Sequence, residues 1–307
     1  MHNPRHPHAP PLRNGVGPSC VALPHSGSGT MLEFLVRRMP AVGAEVWRQR
    51  IAGGEVVDEH GVVLTPERVF EPGLRLYYYR ALPQEPVLPF KEQVLYQDAH
   101  LLVADKPHFM PVTPSGQYLQ STLLVRLRNR LDLPHLAPLH RIDRDTAGLV
   151  LFSVQPATRG AYHALFRDRL MHKTYLAVAP WRRGLEFPLV RHSRLEPGMP
   201  FFRTREVAGP ANSETQIDVE EVQGAWARYR LHPVTGKRHQ LRVHMAALGL
   251  PLRNDAFYPE VQDAPEGDHS RPLQLLAQRL QFTDPLSGTA RMFESALQLL
   301  PLPMAAA

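Results

Sequence analysis

A carboxylate sits between two arginines in His140-Arg141-Ile142-Asp143-Arg144-Asp145-Thr146-Ala147-Gly148, directly ahead of the apolar run Leu149-Val150-Leu151-Phe152. A cation beside a carboxylate favours its ionised form, which suits a nucleophile or base working at neutral pH on a phosphate-rich substrate. Thr146-Ala147-Gly148 adds small residues that let such a substrate come close. The commoner role of an aspartate near a glycine is a turn or a helix cap. Asp145 offers the same chemistry as Asp143, so residue types alone leave both open.

A second cluster is Pro233-Val234-Thr235-Gly236-Lys237-Arg238-His239-Gln240-Leu241-Arg242-Val243-His244. The spacing predicts a helix over about 238–248, stopped by Gly249 and Pro251, with Leu241, Met245 and Leu248 as its apolar stripe. Arg238 and Arg242 would then share one face, one turn apart. A solvated basic helix is the bland reading; a turn feeding donors into a helix start is also a phosphate or carboxylate clamp. His239 and His244 are five residues apart and diverge on a helix, so no metal site is expected from them. The third piece is Lys173-Thr174-Tyr175-Leu176-Ala177, where Tyr175 either packs in a core or faces a substrate base.

Other segments must position these residues. Leu32, Leu35 and Val36 predict a helix from Met31, a second helix covers about 46–51, and short strands are expected at 54–57, 61–64 and 74–79. The proline-rich stretch 81–89 separates this unit from the rest. Beyond it, strands are expected at 93–97, 101–104, 173–179, 215–222 and 225–231. Helices are expected at 122–131, carrying Arg126, Arg128 and Arg130, and at 157–171, with Ala161, Leu165, Phe166 and Leu170 facing a core. The mixture lacks a βα rhythm and internal repeats, which argues for an α+β fold with a mixed, largely antiparallel sheet and flanking helices.

Composition narrows the partner. The 307 residues carry a net charge of +6, concentrated in two windows. Residues 121–173 hold nine Lys/Arg against four acids, and residues 228–253 hold six against none. Such concentration fits phosphate neutralisation better than an even surface does. The single cysteine, Cys20, excludes an intrachain disulfide framework and suits a reducing compartment. No apolar run approaches the roughly 18 residues of a membrane span. Residues 1–30, with six prolines, four glycines and four histidines, read as a disordered leader. Walker-type and dinucleotide glycine motifs are absent from the sequence.

In order and spacing, His140–Gly148, Lys173–Ala177 and Thr235–His244 with Pro251–Tyr258 resemble the motifs of the RluA-type pseudouridine synthases. The stretch 94–114, containing Leu101-Leu102-Val103-Ala104-Asp105-Lys106-Pro107, resembles that family's first motif. The resemblance spans residues 90–300 and implies the pseudouridine synthase fold around a central active-site cleft. Residues 31–82 resemble, more weakly, an S4-like RNA-binding module, here an αα-β unit. By the resemblance Asp143 is the catalytic aspartate. Tyr175 stacks on the target base and removes a proton, Arg242 pairs with the aspartate, and Leu241 packs near the target ring. Arg141 helps to extrude the nucleotide, which base chemistry on stacked RNA requires. His140, Thr146 and Arg238 complete the expected substrate contacts. Ile142 and Ala147 stand where leucine and serine are usual, and Asn254-Asp255 replaces Gly-Asp; Asn tolerates the left-handed turn this loop needs.

The expected protein is therefore an isomerase converting uridine to pseudouridine in structured ribosomal or transfer RNA. It needs no metal, nucleotide or redox cofactor, and is expected to be cytoplasmic and monomeric. A closing loop is expected at 259–272, because a detached base must be kept from water. Two other readings use the same residues: a non-catalytic RNA-binding relative, and a hydrolase acting on a small glycosylated molecule.

Overall fold

A computed structural model describes residues 9–82, 84–262 and 267–303, and the chain divides into two compact units, residues 1–85 and 86–307. In the first unit, strand β1 (Ser19–Ala22) precedes helices α1 (Met31–Arg38) and α2 (Ala44–Ala52) and strands β2 (Val56–Asp58) and β3 (Arg75–Tyr78). A capping box starts α1: the Thr30 hydroxyl accepts from the Glu33 amide, while the Glu33 carboxylate accepts from the Thr30 amide. Trp47, Leu35, Met31, Val56 and Leu76 form a fully buried centre, with Trp47 set edge-on to Tyr78.

Two expectations are corrected here. Ser19–Ala22 is ordered, not disordered: it pairs antiparallel along the whole of β3, and Leu23 enters the core. A four-residue strand among prolines and glycines carries too little periodicity to stand out. Residues 1–8 of that expected leader lie outside the described residues. The strand expected at 61–64 is reduced to one bridge, Val57 to Val63.

The second unit is built on one mixed sheet. Its strands are β4 (Gln93–Gln97), β5 (Leu101–Lys106), β6 (Ala137–Pro138), β7 (Ala147–Ser153), β8 (His172–Pro180), β9 (Leu189–Pro197), β10 (Thr204–Val207), β11 (Ser213–Gln223), β12 (Trp226–Pro233), β13 (Leu275–Thr283) and β14 (Ala290–Glu294). They lie in the order β10-β9-β11-β12-β8-β13-β7-β5-β4, with β14 beside β13 and β6 beside β7. Among the described residues only β7 and β13 pair in parallel, over two residue pairs. The α+β architecture with a largely antiparallel sheet is as expected.

Leu101–Ala104 of β5 and Leu149–Phe152 of β7 are continuous apolar runs because both faces are covered. Leu102, Ala104, Val150 and Phe152 pack with Leu123, Leu124 and Leu127 of α3 (Leu123–Leu131). Leu101, Val103, Leu149 and Leu151 point the other way, onto Tyr162 and Leu165 of α4 (Pro156–Arg167). Each fully buried leucine contributes about 1.5–3 kcal/mol. Helix α4 ends before the expected stripe is complete, so Leu170 lies beyond it and is exposed. By contrast β11 alternates buried and exposed residues, since only one face meets the core.

Candidate active site

The Asp143 loop enters the sheet at β7, where two backbones approach closely. Gly148 has φ +110°, and a Cβ there would lie 2.3 Å from the carbonyl oxygen of Ala277. Ala277 pairs with Gly148 on one side and with Tyr175 on the other. One row across three strands therefore brings the base of the loop beside Tyr175. The loop itself is held by its backbone: the Thr146 amide donates to the Asp143 carbonyl at 3.2 Å. The Lys106 ammonium, fully buried at the end of β5, donates to the carbonyls of Arg144 at 3.0 Å and Pro107 at 2.8 Å. His108 Nδ1 donates to the Asp145 carbonyl at 2.6 Å. Burial pushes the Lys106 ammonium down to about 7, opposed by the carboxylates of Asp145 and Asp143.

Helix α5 (Gln240–Ala247) supplies the facing wall. Arg242 is 1% exposed and forks onto Asp255, with Nε to Oδ2 at 2.8 Å and Nη2 to Oδ1 at 2.6 Å. Its remaining nitrogen, Nη1, meets Asp143 Oδ2 at 3.4 Å. Burial alone would lower the pKa of this guanidinium. The hydrogen bonds and charge of Asp255, joined by Asp143 and Asp145, outweigh it and the net shift is upward. Arg242 thus presents a fixed, permanently charged donor to Asp143. The Asp255 carboxylate is fixed in turn by the amides of Phe257 and Tyr258, and Asn254 adopts the left-handed conformation, φ +63°, expected of it.

Tyr175 lies in the buried cluster with Leu241, and Ile142 packs against the same cluster. Burial, and secondarily the charge of Asp143, raises the phenol's pKa, so the hydroxyl stays protonated at neutral pH. It makes no hydrogen bond to another described residue. Beside Arg242 opens a cleft of about 340 Å³, lined by Arg144, Asp145, Arg242, Tyr118 and Phe109 and also by Gln262, Asp268 and His269. The latter three belong to the segment expected to close over the site; its residues 263–266 lie outside the described residues.

Asp143, Tyr175, Arg242 and Leu241 are thus brought together. The remaining expected contacts divide. Arg141 is exposed, without an ion pair or hydrogen bond to another described residue. Thr146 is buried beneath the loop. His140 turns away from the cleft: its ring stacks on Phe166 at 4.9 Å and its Nε2 accepts from the Leu151 amide. Burial, reinforced by Lys173, pushes its pKa down to about 3, so it is a neutral packing residue. Arg238 precedes α5 and shares no helical face with Arg242, because His239 takes φ +54° and only Gln240 begins the helix. Its guanidinium donates instead to the carbonyls of Phe201 and Phe202.

Asp255, His239 and Lys106 were not among the expected site residues. The fork of Arg242 needs a buried carboxylate, and Asp255 is the acid that follows α5; that requirement was the available signal. His239 lies 3.9 Å from Asp143 through Nε2 and bonds the Tyr258 hydroxyl through Nδ1 at 2.9 Å.

Known proteins resemble this chain in sequence and in fold. The family model for RNA pseudouridylate synthase matches residues 100–247. The dual-specificity RNA pseudouridine synthase RluA of Escherichia coli (strain K12) is 33% identical over 219 residues, 69% of this chain and 94% of that protein. An uncharacterized RNA pseudouridine synthase of Synechocystis sp. is 30% identical over 74% of this chain and 79% of its own length. The structure of human RNA pseudouridylate synthase domain containing 1, 24% identical, superposes over 69% of this chain and 86% of its own with a TM-score of 0.56, a likeness of fold. The chain belongs to the RluA-type RNA pseudouridine synthases, which are isomerases acting on RNA. Among the described residues no helix is long and apolar enough to cross a membrane.

Proposed function

We propose that this chain isomerises particular uridines of structured ribosomal or transfer RNA, with Asp143 initiating the reaction. The observation that supports this most is the single donor that the buried, Asp255-anchored Arg242 leaves over for Asp143, beside a cleft that Arg242 itself lines. A guanidinium held this way is preorganised and needs no rearrangement as charge shifts on the carboxylate.

In the reaction the C1′–N1 bond breaks, the uracil turns, and a C1′–C5 bond forms. The hydrogen on C5 leaves as a proton and N1 takes one up, so the product is an isomer. Asp143 either adds to the ribose at C1′ or removes a proton from the sugar; an ionised carboxylate serves both routes. Tyr175, neutral and apolar-walled by Leu241, is placed to stack on the detached ring and hold it while it turns. Arg141, exposed at the start of the loop, is the cation to take the place of the extruded nucleotide. The relative named dual-specificity makes more than one structured RNA a reasonable expectation here as well. Residues 31–82, which display Arg37, Arg38 and Arg48 on their surface, are proposed as an accessory RNA-contacting module of a cytoplasmic, monomeric enzyme.

The test is tritium release from RNA labelled at uridine C5. Asp143→Asn is expected to lower the rate on the order of 1000-fold or more while RNA binding persists. Release near the wild-type rate would remove Asp143 from this role. A wild-type chain that binds RNA but releases no tritium would be a non-catalytic relative, and free uracil as product would indicate a hydrolase.

A further inference from the structure

Asp143 has two oxygens, and the second faces an imidazole. Arg242 Nη1 addresses Oδ2, while His239 Nε2 lies 3.9 Å from Oδ1. His239 is only 8% exposed and sits at the start of α5 with φ +54°, a conformation in which Asn, Asp and His are enriched. Its other nitrogen is bound to Tyr258, whose hydroxyl also accepts from the Thr204 amide at 2.7 Å.

That network selects the tautomer. The Tyr258 O–H has two acceptors within reach, His239 Nδ1 at 2.9 Å and the Thr204 carbonyl at 3.1 Å. If it donates to Nδ1, the imidazole proton sits on Nε2 and points at the carboxylate. If it donates to Thr204, Nδ1 carries the proton and a lone pair on Nε2 faces the carboxylate, which is repulsive. The first arrangement removes that repulsion, in exchange for the hydroxyl's bond to the Thr204 carbonyl, so the charge of Asp143 favours it. The charges around the ring are Asp143 and Asp255 against Arg242 and Arg238, with Tyr258 neutral and Phe257 packed on one side. Burial lowers the histidine's pKa, so it is neutral where the enzyme works.

We propose that His239 is a positioning residue for the isomerisation: its Nε2–H closes onto Asp143 Oδ1 when substrate binds, so that the carboxylate is held from both oxygens. This rests on the reading of Asp143 given above. At 3.9 Å the contact is too long for a hydrogen bond, but catalytic hydrogen bonds commonly tighten only in the substrate complex. A carboxylate has about four lone-pair sites, so two donors leave room for the ribose. Without His239 the carboxylate keeps one side-chain donor, 3.4 Å away, and can swing about its Cβ–Cγ bond. A misplacement of about 1 Å at a reacting group costs on the order of 100-fold in rate.

Two amide substitutions separate this role from a purely structural one. In His239→Asn the amide reaches only as far as Nδ1, keeping Tyr258 and losing Asp143. In His239→Gln the amide reaches the position of Nε2, keeping a donor for Asp143 and losing Tyr258. Single-turnover tritium release is expected to fall on the order of 100-fold in His239→Asn, with KM changed less than about threefold, and to be restored to within about fivefold of wild type in His239→Gln. The reverse order, with the Asn variant near wild type and the Gln variant impaired, would overturn the proposal. So would equal losses in both that track a lowered unfolding midpoint. Absence of tritium release by the wild-type chain would instead overturn the underlying reading, and this proposal with it.

Discussion

Two arginine–aspartate pairs border the Asp143 site, and they differ in almost every physical respect. Arg242 and Asp255 are 1% and 0% exposed, joined by two hydrogen bonds and backed by two backbone amides. Arg144 and Asp145 are neighbours in sequence, 46% and 13% exposed, and joined by one contact of 2.8 Å. The first pair fixes the geometry of a side chain; the second sits on a loop whose geometry is already fixed through its carbonyls by Lys106 and His108. A short distance between charges is therefore a poor guide to importance. What counts is whether anything else satisfies the groups when one partner is removed.

The largest effect should come from breaking the buried pair. Asp255→Asn leaves the guanidinium buried, with an amide N–H facing its donors. Loss of one member of such a pair costs about 3–5 kcal/mol. It also frees Nη1 from its place against Asp143, so tritium release should fall at least about 100-fold. Urea unfolding and single-turnover rates on the same variant check both effects. A midpoint and a rate near wild type would mean that the Asp255 fork does not hold Arg242, and the contrast between the pairs would collapse.

A second buried polar group on α5 gives a pH test of the same idea. His244 is 0% exposed; its Nε2 lies 3.0 Å from the hydroxyls of Ser193 and Ser213, and its Nδ1 lies 3.0 Å from that of Thr215. Burial pushes its pKa from 6.5 down to about 4, so between those values the unfolded chain binds more protons than the folded one. Stability must then rise with pH across that window, and it is lost as pH falls from 6.5 to 4. At about 1.4 kcal/mol per unit the contribution is on the order of 3 kcal/mol. The slope of unfolding free energy against pH should flatten over this range in His244→Gln. An unchanged slope would show that the helix does not keep this imidazole neutral.

The comparison also explains what could be read from the amino-acid order. The apolar runs of β5 and β7 and the alternation of β11 follow from local periodicity, and the motif resemblance supplied Asp143, Tyr175 and Arg242. The charge windows were read less well. Of the nine cations at 121–173, Arg126 and Arg128 bind backbone carbonyls, Arg130 pairs with Glu92, and Lys173 donates to the Thr235 carbonyl. Among the described residues, only the side chains of Arg141 and Arg169 in that window have no such partner. A count of charges records none of this, because the acceptors lie on other strands and loops. Arg238 was misplaced for a local reason: one left-handed residue, His239, delays α5 by two positions. His140 belongs to the motif in sequence, while its ring stacks on Phe166 and accepts from the Leu151 amide.

The smallest effect is expected at the exposed pair. Arg144→Ala removes the contact with Asp145 but leaves the Arg144 and Asp145 carbonyls bound to Lys106 and His108. Exposed pairs of this kind are worth about 0–1 kcal/mol and weaken further as salt rises. A double-mutant cycle on Arg144→Ala and Asp145→Asn should therefore give a coupling below about 1 kcal/mol in low salt and less still in high salt. The same measurement on Arg242 and Asp255 should give a coupling several times larger and nearly independent of salt, since buried charges are little screened. If the exposed pair instead couples as strongly as the buried one, the loop depends on that ion pair and its carbonyl contacts do not suffice to hold it.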